Sequence, residues 1–205
     1  CGVAMTVVKT NYLSKTVQEL KPSGIRKFFD LTATMDGVIS LGVGEPDFIT
    51  SWSVREAAIT SLEQGYTSYT ANAGLIELRR EISKYIANLC DVEYNPDREI
   101  IVTVGASQAI DIAFRAIIDP GDEVIIVNPS FVAYEPLVSL AGGVPVSLST
   151  KKENGFKLTA KELEAAITPK TKAILICSPN NPTGTQLVEE DLKALSEVIV
   201  KHDLL

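Results

Sequence analysis

The sequence predicts an α/β fold in which a mostly parallel sheet is covered by helices, and three observations carry that prediction. From Ile100 onward, apolar runs of strand length alternate with segments of helical period, the pattern of strand–helix–strand units. The run from Ala173 to Cys177 is continuously apolar instead of alternating, as a strand buried on both faces requires. The connections are short and marked by turn residues: Asn95-Pro96-Asp97, Asp119-Pro120-Gly121-Asp122 and Ala141-Gly142-Gly143.

Taken in order, Asn11 to about Met35 is amphipathic and broken at Lys21-Pro22-Ser23-Gly24, so an arm and a helix outside the main sheet are expected. Val38-Ile39-Ser40-Leu41 reads as a short strand, ended by Gly42-Val43-Gly44-Glu45-Pro46-Asp47. Ser53 with Glu56 has the spacing of a capping box for a helix to about Glu63. Gly65 to Gly74 is a loop carrying tyrosines. Leu75, Leu78, Ile82, Ile86 and Leu89 recur at helical spacing and predict a helix from Leu75 to Leu89. Strands are then expected at Ile100–Val104, Glu123–Val127, Val144–Leu148 and Ala173–Cys177. Helices are expected over Ser107–Ile118, Val132–Ala141, Thr159–Ile167 (Thr159 boxed with Glu162) and Glu189–His202. Asp203-Leu204-Leu205 falls where a further strand is expected to begin, which reads as truncation.

A length of 205 residues fits one large domain or one and a half, and 45% hydrophobic with 22% charged residues is ordinary for a globular chain with an ample core. A net charge of -7 without a basic cluster argues against nucleic acid or an anionic membrane as partner. No run of 18 apolar residues is present, so no membrane span is expected. Cys1, Cys90 and Cys177 are odd in number and widely spaced, which predicts reduced thiols of a cytoplasmic protein and neither a disulfide frame nor a metal site. Cys1-Gly2 is compatible with a lipid-modified N-terminus, but no signal segment precedes it, and Met5 is the expected natural start. His202, the one histidine, sits late in a polar helix and reads as solvated, which removes Ser/His and Cys/His hydrolase chemistry.

Several loops can carry chemistry. Ser178-Pro179-Asn180-Asn181-Pro182-Thr183-Gly184 follows the Ala173–Cys177 strand, at the strand end where open α/β sheets bind ligands. An amide such as Asn181, held on a turn by prolines, donates and accepts at once, although a lone turn of this type is equally read as a turn. Val104-Gly105-Ala106-Ser107-Gln108 leads a strand into a helix whose first amides lack internal partners and favour an anion, while the plainer reading is a glycine turn with Ser107 as cap. It is neither a Walker motif nor GxGxxG, so ATP and nicotinamide cofactors lose their usual sequence support. In Asn128-Pro129-Ser130-Phe131, the aromatic ring suits stacking on a flat ligand and equally a core position. Gly44 offers a backbone N–H beside a tight turn, and the Tyr69 phenol can reach a phosphate or simply pack.

Ile39 through Phe48, Tyr69 through Gly74, Val104 through Ala109, Asn128 through Phe131 and Ser178 through Gly184 occur in the order found in class I/II aminotransferases. From about Leu20 to Leu205 the chain resembles these pyridoxal-phosphate enzymes of fold type I, most nearly the bacterial aspartate and aromatic aminotransferases. The resemblance implies a three-layer αβα large domain, here incomplete, with residues 1–48 as an N-terminal arm and small-domain segment and 49–205 as the first part of the cofactor-binding domain. It implies that Asn181 bonds the cofactor's phenolic oxygen and helps hold the substrate carboxylate, that Phe131 stacks on the pyridine ring, and that Ala106 and Ser107 cradle the phosphate. Gly44 is implied as a backbone donor to the substrate carboxylate, Ile25 as closing over the substrate, and Tyr69 as reaching the phosphate of the partner subunit in a homodimer. The implied substrates are an amino acid and a 2-oxo acid.

The Schiff-base lysine of this family has no counterpart in a Ser-x-x-Lys setting among these residues, and Lys170, Lys172 and Lys201 read as surface charges. The 205-residue chain alone is therefore expected to lack transaminase activity. The family's strand order also implies that Ile100–Val104 is separated from Ala173–Cys177 by three strands not contained in these residues. A carbon–sulfur lyase, a cyclopropane-carboxylate synthase relative, or a non-catalytic cofactor-binding or interaction module are the alternatives.

Overall fold

Val124, Ile125 and Ile126 have no solvent exposure, because the strand that carries them is paired on both edges and covered on both faces. The computed structural model describes residues 12–21, 24, 31, 35, 37, 39 and 46–205. In order these form α1 (Lys15–Glu19), α2 (Trp52–Glu63), α3 (Ile76–Cys90), α4 (Gly105–Ile117), β1 (Glu123–Asn128), α5 (Tyr134–Leu140), β2 (Val144–Ser149), α6 (Ala160–Ala166), β3 (Thr171–Leu175) and α7 (Glu189–Lys201), with a short 3₁₀ turn at Lys152–Asn154. The chain divides into two units, Cys1–Pro22 with Ser107–Leu205, and Ser23–Ala106.

The first unit holds the sheet, with strand order β2-β1-β3 and both pairings parallel. Glu123 to Asn128 lie opposite Val144 to Ser149, and Val124 to Ile126 opposite Ala173 to Leu175. Alternation along β1 feeds two cores. Val124 and Ile126 pack with Ala173, Phe114, Ile118, Tyr134 and Val138, so α4 and α5 cover that face. Ile125 packs with Leu158, Leu163, Leu195 and Val198, so α6 and α7 cover the other. These are the three layers expected, and each fully buried aliphatic side chain contributes about 1.5–3 kcal/mol. The helix at Thr159 starts as its sequence dictates: the Thr159 hydroxyl accepts from Glu162 N–H at 3.3 Å while the Glu162 carboxylate accepts from Thr159 N–H at 3.0 Å. Leu205 donates to Lys172 O (3.1 Å) and accepts from Ile174 N–H (2.9 Å), a single parallel bridge on the outer edge of β3.

Several expectations are corrected. Ile100–Val104 is not a strand: Val102 N–H donates to Ala73 O at 2.9 Å, Ile101 and Val104 are 62% and 89% exposed, and no ladder forms there. Branched apolar residues favour a pleated surface but cannot make one without a neighbouring strand to pair with. The Ser53–Glu56 box does not form, because α2 begins at Trp52 and places Ser53 inside the helix; Ser51 is the cap, without a side-chain bond to the helix backbone. A box needs its Ser outside the helical dihedrals. In the Asn11–Met35 region a short helix is present, with Ser14 Oγ accepting from Val17 N–H at 3.2 Å. Most of 22–34, and the Val38–Leu41 strand apart from Ile39, lie outside the described residues.

In the second unit, α3 forms where its periodicity predicts, yet Leu75, Leu78 and Leu89 remain exposed and the residue it buries is Arg79. Arg79 donates to Pro96 O at 2.7 Å, while its Nε has no partner in the structure. Gly74 has φ +96, and a Cβ there would stand 2.7 Å from Val102 Cβ, so the loop's glycine is required. Among the described residues no helix is long and apolar enough to cross a membrane.

Two predictions follow from this packing. A Cβ on Gly143 would lie 2.9 Å from Ile118 Cγ2, 3.0 Å from Val138 Cγ1 and 3.2 Å from Asp122 O, all in the core or its backbone frame. Gly143→Ala is expected to cost about 1–3 kcal/mol, read as a lower urea midpoint. Lys172 Nζ sits 2.8 Å from Asp122 Oδ2, and that bond, followed by the Asp119 N–H, holds the Asp122 carboxyl below its usual 3.8. The same pairing raises Lys172 above 10.5. The Asp122 contribution is present above pH 3.8 and is lost as pH falls through the lower folded value; the Lys172 contribution is full below pH 10.5 and is lost above it. Lys172→Met is therefore expected to lower the neutral plateau of a stability–pH profile while leaving the strongly acidic end unchanged, so that the acid limb becomes shallower, and an unchanged acid limb would contradict the pairing.

Candidate active-site region

Parallel strands release their loops at one end of the sheet, so the segments after β1 and β3 emerge side by side. After β1, the Asn128 amide donates to Glu135 Oε1 at 2.8 Å and to the Ser147 hydroxyl, and its Oδ1 accepts from Ser130 Oγ at 2.6 Å. The Asn128 carbonyl accepts from both the N–H and the hydroxyl of Thr150, each at 2.8 Å. The loop that carries Phe131 is thus anchored to α5 and to the end of β2.

After β3, the chain folds back on itself. Asn180 N–H donates to Thr185 O at 2.8 Å, and Gly184 N–H to Asn180 O at 2.9 Å. The Asn180 side chain accepts from Thr183 N–H at 3.1 Å and donates to Pro129 O at 3.2 Å, joining this loop to the one after β1. Thr185 Oγ1 donates to Gly155 O at 2.9 Å, and Ser178 Oγ accepts from Leu187 N–H at 2.9 Å. The X–Pro bonds at Pro129, Pro179 and Pro182 are cis.

Asn181 is exposed at the tip of this turn, and its side chain makes no hydrogen bond among the described residues. Phe131 is half-buried, packed against the core that also receives Ile110 and Cys177, and meets Tyr134 edge to face at 5.6 Å and 75°. The core reading of this aromatic is thus realised in part, and one side of the ring remains accessible. Burial first, and the neighbouring Cys177 thiol second, push the Tyr134 phenol up to about 12, so it stays neutral near pH 7.

Ser107 lies inside the first turn of α4, which begins at Gly105, so it does not cap the helix from outside as the plainer reading had it. Its hydroxyl has no hydrogen bond among the described residues, and Ala106 and Ser107 are both exposed. The first turn contains no acidic residue. Gly105 has φ +83 and nothing within 4 Å of where a Cβ would point, so the approach to these amides is open. Tyr69, in the second unit, is fully exposed. Gly44 and Ile25 lie outside the described residues. His202 ends α7 with Nε2 2.9 Å from Glu164 Oε1, a surface contact between α6 and α7.

Sequence reasoning missed the residues that organise these loops: Asn180, Thr183, Glu135 and Ser147. Asn180 carried a signal, since it stands beside Asn181 in a proline-flanked turn. Glu135 and Ser147 carried none, because their partner Asn128 is reached only across α5 and β2.

The family profile described as aminotransferase class I and II matches residues 36–205. YugH of Bacillus subtilis strain 168, whose name classes it provisionally as an aminotransferase, is 67% identical over 196 residues, 96% of this chain and 51% of that protein. Aspartate aminotransferase of Pyrococcus abyssi is 45% identical over 193 residues, 94% of this chain and 50% of that protein. Among solved structures, Thermus thermophilus aspartate aminotransferase with maleate superposes with a TM-score of 0.88 at 41% identity, over 95% of this chain and 52% of that one. The chain spans about half the length of these relatives. With the profile covering residues 36–205 and the β1 and β3 loops folded at one end of a parallel sheet, the chain belongs to the aminotransferase class I and II family.

Proposed function

We propose that the protein is a pyridoxal-phosphate-dependent aminotransferase, moving an amino group between an amino acid and a 2-oxo acid, with residues 1–48 as arm and small-domain segment and 49–205 as the first part of its cofactor-binding domain. The observation that carries the reading is that, among the described residues, the Asn181 amide and the Ser107 hydroxyl make no hydrogen bond and the α4 first turn holds no acidic side chain. On a chain of net charge -7, a helix N-terminus without a carboxylate suits an anion, so the residues present fit a phosphate-bearing cofactor. When bound, pyridoxal phosphate supplies the electron-withdrawing ring that amino-group transfer requires.

In this reading the protein's own residues bind and orient. Ala106 and Ser107 hold the phosphate with backbone N–H groups and the Ser107 hydroxyl. Phe131, kept from turning by its edge contact with Tyr134, packs on the ring face. Asn181 donates to the phenolic oxygen and helps hold the substrate carboxylate, to which Gly44 adds a backbone donor; Ile25 closes over the substrate. The full exposure of Tyr69 supports its reaching the partner's phosphate in a homodimer. The free thiols of Cys90 and Cys177 support a cytoplasmic setting.

The test is a pyridoxal phosphate titration followed by absorbance, with intact mass after borohydride reduction. Saturable binding that inorganic phosphate competes away is expected, and Ser107→Ala should weaken it by about tenfold or more, the worth of one charge-assisted hydrogen bond. Absence of saturable binding overturns the reading for these residues. Lys172 is committed to Asp122 near the start of β3, away from the strand end that carries Asn181, and Lys201 pairs with Glu164. The 205-residue chain is therefore expected to show no transamination and no stoichiometric lysine adduct; a single-site adduct would refute this.

A further inference from the structure

We propose that Asn180 is a positioning residue that locks the β1 and β3 loops into one rim and so sets the direction of the Asn181 amide; its consequence for ligand binding rests on the cofactor reading above, its geometry does not. Every polar group of Asn180 has at least one partner. Its N–H and C=O close the turn on Thr185 O (2.8 Å) and Gly184 N–H (2.9 Å). Its Oδ1 accepts from Thr183 N–H (3.1 Å) and lies 2.9 Å from Thr183 Oγ1, whose single proton is shared with Thr185 Oγ1 at 3.0 Å. Because a backbone N–H faces Oδ1, the amide cannot be flipped without setting N–H against N–H, and Nδ2 must point at Pro129 O, 3.2 Å away.

That acceptor is itself held. Asn128, the residue before Pro129, is gripped by Glu135, Ser147, Ser130 and Thr150. The link Asn180 Nδ2–Pro129 O therefore ties a fixed loop to the turn bearing Asn181, and among the described residues it is the one side-chain hydrogen bond between the two loops. With Asn180 engaged inside the turn, the adjacent Asn181 is left exposed, its amide without a hydrogen bond among the described residues. Two neighbouring asparagines thus divide the work: one orders the loop and the other is free for a ligand.

Two substitutions separate rim from turn. Asn180→Asp keeps an oxygen for Thr183 but replaces the donor to Pro129 O with a second oxygen, so it opens the rim and keeps the turn. Asn180→Ala removes both. Amide hydrogen exchange and pyridoxal phosphate affinity are measured on the whole chain. For Asn180→Asp, exchange at Tyr134, whose N–H donates to Phe131 O at 3.1 Å, is expected to rise about five- to tenfold, with Gly184 and Thr185 unchanged and cofactor affinity down by a similar factor. For Asn180→Ala, both segments exchange faster. Equal exchange at Tyr134 in Asn180→Asp and wild type, or wild-type affinity in both variants, overturns the proposal. If the wild-type chain shows no saturable cofactor binding, the cofactor reading fails while the exchange pattern still decides whether Asn180 couples the loops.

Discussion

The structure depends on β1 being satisfied in every direction at once. A parallel strand at the centre of a sheet gives its N–H and C=O groups to neighbours on both sides and its side chains to both faces. Here β2 and β3 take the backbone, and Val124 and Ile126 on one face and Ile125 on the other take the cores. Each neighbour must then be reached by a crossover, each crossover is a helix with an apolar face, and the loops leaving β1 and β3 come out together. Asn181 and Phe131 share one end of the molecule for this reason, although fifty residues of chain separate them.

The two ends of the sheet are built from different chemistry. At the N-terminal end, Asp122 pairs with Lys172, and Glu123 accepts from the Thr168 and Thr171 hydroxyls, so charges are committed to one another. At the C-terminal end the organising groups are mainly neutral: asparagine amides, hydroxyls and carbonyls, with Glu135 engaged by Asn128 and Ser147. Neutral hydrogen bonds can hold a loop without setting up a field that an incoming anion must oppose. The α4 first turn, free of acidic residues, is consistent with that arrangement.

Burial was the weaker part of the sequence reading, and the reason is specific. The α3 periodicity correctly gives a helix, but a stripe of leucines states only that a partner is wanted, and Leu75, Leu78 and Leu89 are exposed here. Ile100–Val104 has the composition of a strand and the same difficulty, since its backbone needs a ladder that no neighbour supplies. Local signals that are complete in themselves fared better. Thr159 and Glu162 form their box because both partners lie within one turn of chain. Ser53 and Glu56 have the same spacing and no box, because helix α2 begins two residues too early for Ser53 to stand outside it.

The sequence by itself determined what depends on short-range pattern: the βαβ alternation, the helix and strand positions from Asp119 onward to within a residue or two, and the turn at Ser178–Gly184 on the end of β3. Motif order also determined the family, since five loops in a set succession are a property of the chain alone. Only the tertiary structure decided that Asn180 joins Pro129, that Glu135 and Ser147 grip Asn128, and that Ser107 keeps a free hydroxyl. The contacts among them link residues up to 51 positions apart through single hydrogen bonds. A directional bond of that kind exists only once the sheet has brought its two ends within about 3 Å, and no periodicity in the chain records it.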